Sequence, residues 1–322
     1  MSTGNLTEEQ RDRAAGVLLG QAVGDALGVP YEFAARIPVG TAEMIGGGLG
    51  PYEPGEWSDD TQMACCIAIV TAAGGNLVTD EGLDAVAAQF SHWRERGASD
   101  IGNLTRDVID AAQGGEGSIS TRMTAASYAE AARDRAGNGA LMRTGIVGLV
   151  ALQDRIVTAA AAAAVSRLTH AHALCVESSV LWSEAVRVAV LEGVLDVKSG
   201  LDLIPEGARA RWENWIDEAE GSDPETFSPN GWTVSALQAA WSSIHATRHL
   251  TGRAHLEASL QTAVAIGDDT DTVAAIAGAL LGARYGASAI PEEWVGTVHG
   301  WPGMRSGDLI KLARQTAAHV VA

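Results

Sequence analysis

Apolar residues recur at helical spacing from the start of the chain. Ala15, Leu18, Leu19, Ala22, Val23 and Ala26 fall on one stripe of a segment over residues 7 to 28, which reads as an amphipathic helix. Thr7 with Gln10 supplies a capping box at its start. Gly28 and Pro30 stop it and leave Glu32 at its exit. Further helices are expected near 60 to 73, 80 to 96, 100 to 113, 121 to 133, 140 to 152, 155 to 168, 172 to 195, 205 to 219, 231 to 249, 253 to 266 and 271 to 285. Alanine, leucine, glutamate and arginine dominate these segments, and alternating β-branched runs are scarce. The pattern predicts an all-α fold, a compact helical bundle rather than a repeat array. The Gly- and Pro-rich loops are too short to mark a linker between domains.

The sequence Asp-Asp-Thr occurs twice, each time at a predicted helix start. The first copy is Ser58-Asp59-Asp60-Thr61 and the second is Gly267-Asp268-Asp269-Thr270-Asp271-Thr272. Serine and aspartate are favoured N-caps, so either copy could be a cap alone. Three carboxylates in four positions at 268 to 271 exceed what a cap requires, and the segment Val273 to Ala283 behind them is apolar on every face. Clustered carboxylates at the edge of a core repel one another unless cations sit among them. If the two motifs face each other, a pair of hard divalent metals with oxygen ligands is the simplest occupant. Such a site would tie the ends of the chain into a single domain covering residues 1–322. Asp25 lies inside an apolar helix, so it is either buried with partners or faces a polar cavity.

Composition narrows the function classes. The chain has 322 residues, is 47% hydrophobic and carries a net charge of −18. That charge argues against a general nucleic-acid-binding surface and against docking on anionic membranes. An anionic ligand would need local positive potential from metal, helix N-termini or backbone amides. Gly137-Asn138-Gly139, ahead of the helix expected at 140, is the best candidate cradle for phosphates, though a plain turn fits it too. His170 and His172 are two residues apart and do not share a helix face, so a zinc pair there is not expected. Three cysteines, two of them adjacent, form no disulfide framework and suit a reducing cytoplasm. The polar N-terminal stretch is unlike a secretory signal, and no apolar stretch reaches the length of a membrane span. The nine tryptophans are expected mainly in the core.

Five pieces of the chain, in order, carry a resemblance to the ADP-ribosylglycohydrolase family, the DraG-like or ARH-type ADP-ribosylhydrolases. They are GVLLGQAVGDALGVPYE (16 to 32), PGEWSDDTQMA (54 to 64), GNGALMR (137 to 143), SRLTHAH (166 to 172) and GDDTDTVAAIAGALLGARYGA (267 to 287). IPEEW at 290 to 294 and the helix after Trp301 also fit. The resemblance implies an orthogonal helical bundle with a binuclear centre of two Mg2+ or Mn2+. Its ligands would be Ser58, Asp59, Asp60, Asp269, Asp271 and Thr272, with Asp268 left over as a cap. Many relatives carry threonine where this chain has Ser58, and the hydroxyl is kept. The resemblance further implies Glu32 and Asp60 as catalytic groups, and Gly137, Asn138, Gly139 and His170 as substrate-binding. The expected reaction is hydrolysis of the N- or O-glycosidic bond joining ADP-ribose to a target protein or small adduct, ADP-ribosylarginine first, by a monomer. A catalytically inactive ADP-ribose-binding or crystallin-like structural relative is the alternative. A two-metal phosphatase would share the oxygen-rich site but not the resemblance.

Overall fold

The structure, a computed structural model, describes residues 6–319. The polar stretch 1 to 5 lies outside the described residues. The fold is all-α, as the periodicity predicts. The helices are α1 (Glu8–Gly28), α2 (Asp59–Ala72), α3 (Asp80–Arg96), α4 (Asn103–Ala111), α5 (Ile119–Ala131), α6 (Arg155–Arg167), α7 (Ala173–Glu192), α8 (Glu206–Gly221), α9 (Thr233–Ala246), α10 (Gly252–Ala265), α11 (Thr270–Tyr285), α12 (Glu292–Thr297) and α13 (Ser306–Ala318). A small hairpin pairs β1 (His299–Gly300) with β2 (Met304–Arg305) in antiparallel register. No described helix is long and apolar enough to cross a membrane.

The capping box forms as read. Gln10 donates its backbone N–H to the Thr7 hydroxyl at 3.2 Å, and its side chain accepts from the Thr7 N–H at 3.0 Å. The amphipathic reading of α1 holds only for its first turns. From Ala14 to Val29 every residue is buried, so the helix runs through the core rather than along its edge. α11 is buried from Thr270 to Ala283. The two helices lie antiparallel with their backbones in contact. A Cβ placed on Gly20 would sit 2.3 Å from the Gly278 carbonyl oxygen, and one on Gly24 would sit 2.0 Å from that of Ala274. In return, a Cβ on Gly282 would meet the Gly16 oxygen at 1.9 Å. Glycines four apart (16, 20, 24, 28) clear one face of α1 for this approach. α2 and α13 pack on α1, while α7, α9 and α10 pack on α11. Trp57, Trp93, Trp182 and Trp212 are fully buried.

One predicted helix is different. Residues 140 to 152 form two 3-10 turns, Leu141–Arg143 and Gly145–Leu149, in place of an α-helix. The Thr144 carbonyl is taken by the Ser183 hydroxyl at 3.0 Å. Gly145 and Gly148 are pressed against α11 and α7, where a Cβ would fall 2.7 Å from Ala279 Cβ and 2.7 Å from the Ser183 oxygen. Two poor helix formers and a diverted carbonyl outweigh the helical composition of the flanking residues. The C-terminal hairpin was not expected either. It has a positional role: Trp57 N–H donates to the His299 carbonyl at 3.1 Å, and His299 N–H to that of Gly55 at 3.0 Å. This pins the approach to α2.

We predict that Gly20→Val lowers stability by about 3 kcal/mol or more, the upper end for overpacking. Gly207→Ala in α8, where a Cβ meets nothing within 4 Å, serves as the control and should be neutral or stabilising. Urea melts of both variants check this, and equal midpoints for Gly20→Val and wild type would refute the close-contact account.

Candidate metal centre

The antiparallel contact carries the end of α1 to the start of α11. A Cβ on Gly28 would fall 2.4 Å from Asp271 Cα. Thr270 donates its hydroxyl to the Gly28 carbonyl at 2.8 Å, and Phe33 N–H donates to the Asp268 carbonyl at 2.7 Å. Asp25 and Glu32 from one side thereby meet Asp269, Asp271 and Thr272 from the other. α2 delivers Ser58, Asp59 and Asp60 into the same space.

Two carboxylate triads result. Asp25, Asp60 and Asp271 offer oxygens within 4.8 Å of one another, and so do Glu32, Asp269 and Asp271. Asp271 belongs to both. The two acidic motifs, distant in sequence, therefore face each other. Asp59 lies outside both triads, half-buried at the first residue of α2.

Neither motif is a plain cap. Ser58 stands at the N-cap position of α2, yet its side chain makes no capping bond. Its hydroxyl goes instead to Asp25 Oδ1 at 2.8 Å and Asp60 Oδ2 at 3.1 Å. The capping function is supplied from α1. Asp25 Oδ1 accepts the Ser58 N–H at 2.8 Å, and Oδ2 accepts the Thr61 N–H at 2.9 Å. This settles the alternative left open for Asp25: it is fully buried with partners. Asp268 is not a cap either. Its backbone is left-handed at φ 59°, and its carboxylate accepts from the Ser228 hydroxyl. Asp269 occupies the N-cap position and makes no side-chain cap. It accepts instead from Asn138 Nδ2 at 2.7 Å.

The electrostatics follow from this crowding. Burial, then the charges of Asp269, Asp100, Asp59 and Asp25, push Glu32 up to about 9. Burial raises Asp25 to about 6 against the pull of its Ser58 and Thr61 hydrogen bonds. Asp60 and Asp271 are driven well above the carboxylate range, first by burial and then by their acidic neighbours. Asp59 is driven the same way by burial and by Asp100, Asp25 and Asp269. Asp269 rises less, since Asn138, Thr272 and Asp271 hydrogen bonds offset its burial. Thr272 sits beside Asp60 as well.

The donor set fits hard divalent cations. Every group is an oxygen donor, the preference of Mg2+ and Mn2+. Asp60 Oδ1 and Asp271 Oδ1 are buried with no hydrogen-bond partner among the described residues, an arrangement that costs free energy unless a cation takes the lone pairs. Asp25 differs, because three hydrogen bonds already occupy its oxygens. It buttresses the site more than it offers a ligand. Sequence reasoning flagged Asp25 but gave it no role; an aspartate in the middle of GVLLGQAVGDALGV was the available signal.

The remaining candidates form the wall beside Asp269. Asn138 is buried, and its Nδ2 also donates to the Asn230 carbonyl at 3.1 Å. Its own N–H donates to the Gly231 carbonyl. Gly137 and Gly139 flank it, and His170 lies against Gly139, where a Cβ would fall 3.0 Å from His170 Nε2. The turn after this loop is three residues long, so the helix dipole invoked for a phosphate cradle is not available there. His172 is set apart, its Nε2 facing Asp134 at 3.1 Å.

These features define a helical protein with a buried, carboxylate-lined centre able to hold metal. The chain belongs to the ADP-ribosylglycohydrolase family, whose model matches residues 6–321. Among curated proteins it is similar to the ADP-ribosylarginine hydrolase Tri1 of Serratia proteamaculans, with 28% identity over 89% of this chain and 75% of that one. It is also 28% identical to the ADP-ribosyl-(dinitrogen reductase) glycohydrolase of Rhodospirillum rubrum, over 88% of this chain and 89% of the other. The ADP-ribosylhydrolase ARH3 of Danio rerio matches at 28% over 88% and 85%. A solved structure described as an ADP-ribosylglycohydrolase-related protein complex superposes with a TM-score of 0.74 at 25% identity, covering 98% of this chain and all of that one.

The raised carboxylates imply a sign for stability against pH. Asp25 and Glu32 titrate higher folded than unfolded, so the folded state binds the extra protons and stability falls as pH rises. The Asp25 share is lost between 3.8 and about 6, and the Glu32 share between 4.5 and about 9. In EDTA, Tm should therefore drop from pH 5 to pH 9. Mg2+ or Mn2+ should flatten that drop by binding the ionised carboxylates. A scanning-calorimetry series with and without cation reads both arms; a flat profile in EDTA would contradict the crowding.

Proposed function

We propose that this chain hydrolyses the glycosidic bond at the anomeric carbon of the distal ribose of ADP-ribose, releasing ADP-ribose from a modified target. ADP-ribosylarginine is the first candidate target. The observation that carries this reading is that Asp60 and Asp269, one from each acidic motif, both bring an oxygen within ligand range of Asp271. The family is one of hydrolases acting on glycosyl bonds, and the relatives from Serratia proteamaculans and Pseudomonas putida bear the name ADP-ribosylarginine hydrolase.

Asp60, Asp271, Asp269, Asp59, Ser58 and Thr272 would hold two Mg2+ or Mn2+ ions. Bound there, the ions would supply Lewis-acid polarisation of the ribose hydroxyls and of water. Asn138 holds Asp269 in place by its 2.7 Å hydrogen bond, and Asp25 holds the first turn of α2. Glu32 stands at the exit of α1, half-buried, where burial favours its protonated form. As the general acid it gives a proton to the leaving nitrogen or oxygen as the bond to the anomeric carbon breaks. The resulting carboxylate takes a proton from the attacking water, and the oxygen of that water forms the new bond to carbon. Asp60 orients the water. Positive charge that builds on the ribose is stabilised by the surrounding carboxylates, as in other glycoside hydrolyses. The diphosphate lies against Gly137, Asn138, Gly139 and His170.

A panel of ADP-ribosylated peptides, nucleic acid and small adducts, assayed for free ADP-ribose with and without magnesium, tests the reading. Glu32→Gln should lower kcat by about 10²–10⁴ with the fold intact, the usual cost of losing a general acid/base. Asp60→Asn with Asp271→Asn should abolish turnover. Full turnover in that double variant, or after exhaustive chelation, sinks the mechanism. No release from any adduct by the magnesium-loaded wild type sinks the activity itself.

A further inference from the structure

Arg143 is fully buried, and no carboxylate pairs with it among the described residues. Its Nη1 lies 3.4 Å from the Met63 sulfur, its guanidinium carbon is 4.5 Å from the centroid of the Phe90 ring, and its Nε has no partner. Its one oxygen acceptor among the described residues is the Thr169 hydroxyl, which takes the bond from Nη2. An isolated buried guanidinium is costly, and such breaches of packing rules concentrate where function needs them. The consequence of this one is visible at the next residue. Thr169 Oγ1 lies 2.8 Å from His170 Nδ1.

Counting donors fixes the direction of that bond. Arginine can only donate, so Thr169 Oγ1 accepts from Arg143. The hydroxyl still has one proton to place, and His170 Nδ1 is its sole acceptor among the described residues. If Nδ1 carried a proton, the threonine proton would be buried without a partner, which folded proteins avoid. Nδ1 is therefore an acceptor, and the ring proton sits on Nε2. Burial, then the charges of Arg143 and Arg135, hold the ring well below the usual histidine range and keep it neutral. The Nε2 atom has no protein partner among the described residues. It lies against Gly139, beside the loop whose Asn138 grips Asp269.

We propose that Arg143 and Thr169 are positioning residues that lock His170 as the neutral Nε2–H tautomer, so that it presents a hydrogen-bond donor and no acceptor to a substrate oxygen. The matching ligand group is an oxygen that can only accept, a phosphate of the diphosphate. That last assignment rests on the proposed function; the locked tautomer does not.

The test is spectroscopic. In 15N-histidine-labelled wild type, long-range proton–nitrogen spectra distinguish the two neutral tautomers, and His170→Gln assigns the signal among the eight histidines. The wild type should show Nε2 protonated and Nδ1 bare, with Nε2 shifting on addition of free ADP-ribose. Thr169→Val should admit the Nδ1–H tautomer and raise KM about tenfold, the scale of one hydrogen bond, with a smaller change in kcat. Thr169→Ser should restore both. A wild-type spectrum with Nδ1 protonated, or a Thr169→Val spectrum identical to wild type, overturns the proposal. Should Thr169→Val fail to fold, the wild-type spectrum decides alone. Should the wild type cleave no substrate, the spectrum still reads the tautomer, so the two ideas fail separately.

Discussion

The backbone contact between α1 and α11 governs everything built on it. Gly16, Gly20 and Gly24 sit where a single added carbon would fall within about 2.3 Å of a carbonyl carbon or oxygen on α11. No side chain can separate these helices, so their axial register is set by backbone alone. That register fixes how far Asp25 and Glu32 stand from Asp271. A cation site tolerates errors of only a few tenths of an ångström in its oxygens. Two rigid helices with no intervening side chains are a sound way to hold that tolerance between residues some 240 positions apart in the chain.

The same contact creates the strain that the site exploits. Carboxylates brought together in a poorly solvated space raise one another's proton affinity. Hydrogen bonds relieve Asp25 and Asp269 but leave Asp60 Oδ1 and Asp271 Oδ1 with nothing. One of these unrelieved oxygens belongs to Asp271, the residue common to both triads. The protein thus divides its acids into some that are spent on structure and others kept unsatisfied. Cation binding and folding stability are linked through the second group.

Much of this was legible before the fold was known. The helical period, the Thr7–Gln10 box and the excess of carboxylates at 268 to 271 are local signals, and each reappears in the structure. The misses share a cause. Asp268 was expected as a cap, yet its backbone is left-handed and its carboxylate takes the Ser228 hydroxyl from a distant loop, which no local pattern can show. Residues 140 to 152 looked helical by composition, yet Ser183 and the crowding at Gly148 are tertiary facts. α1 looked amphipathic because its glycines count as neither polar nor apolar, although their spacing of four was itself a signal of close packing.

The site also separates what is held rigidly from what can adjust. Asp60 and Asp271 project from the first turns of buried helices, where packing leaves little freedom. Glu32, on the loop just past α1, comes from irregular backbone. That division matches the chemistry proposed for each. Oxygens that hold a cation must stay where they are, whereas a group that gives and then takes a proton has to follow the reacting atoms. His170 belongs with the rigid set despite lying on a loop, because Thr169 and the buried Arg143 hold its ring from behind. The buried guanidinium is then best understood as a support for an imidazole, placed where a carboxylate partner would have drawn it away from that duty.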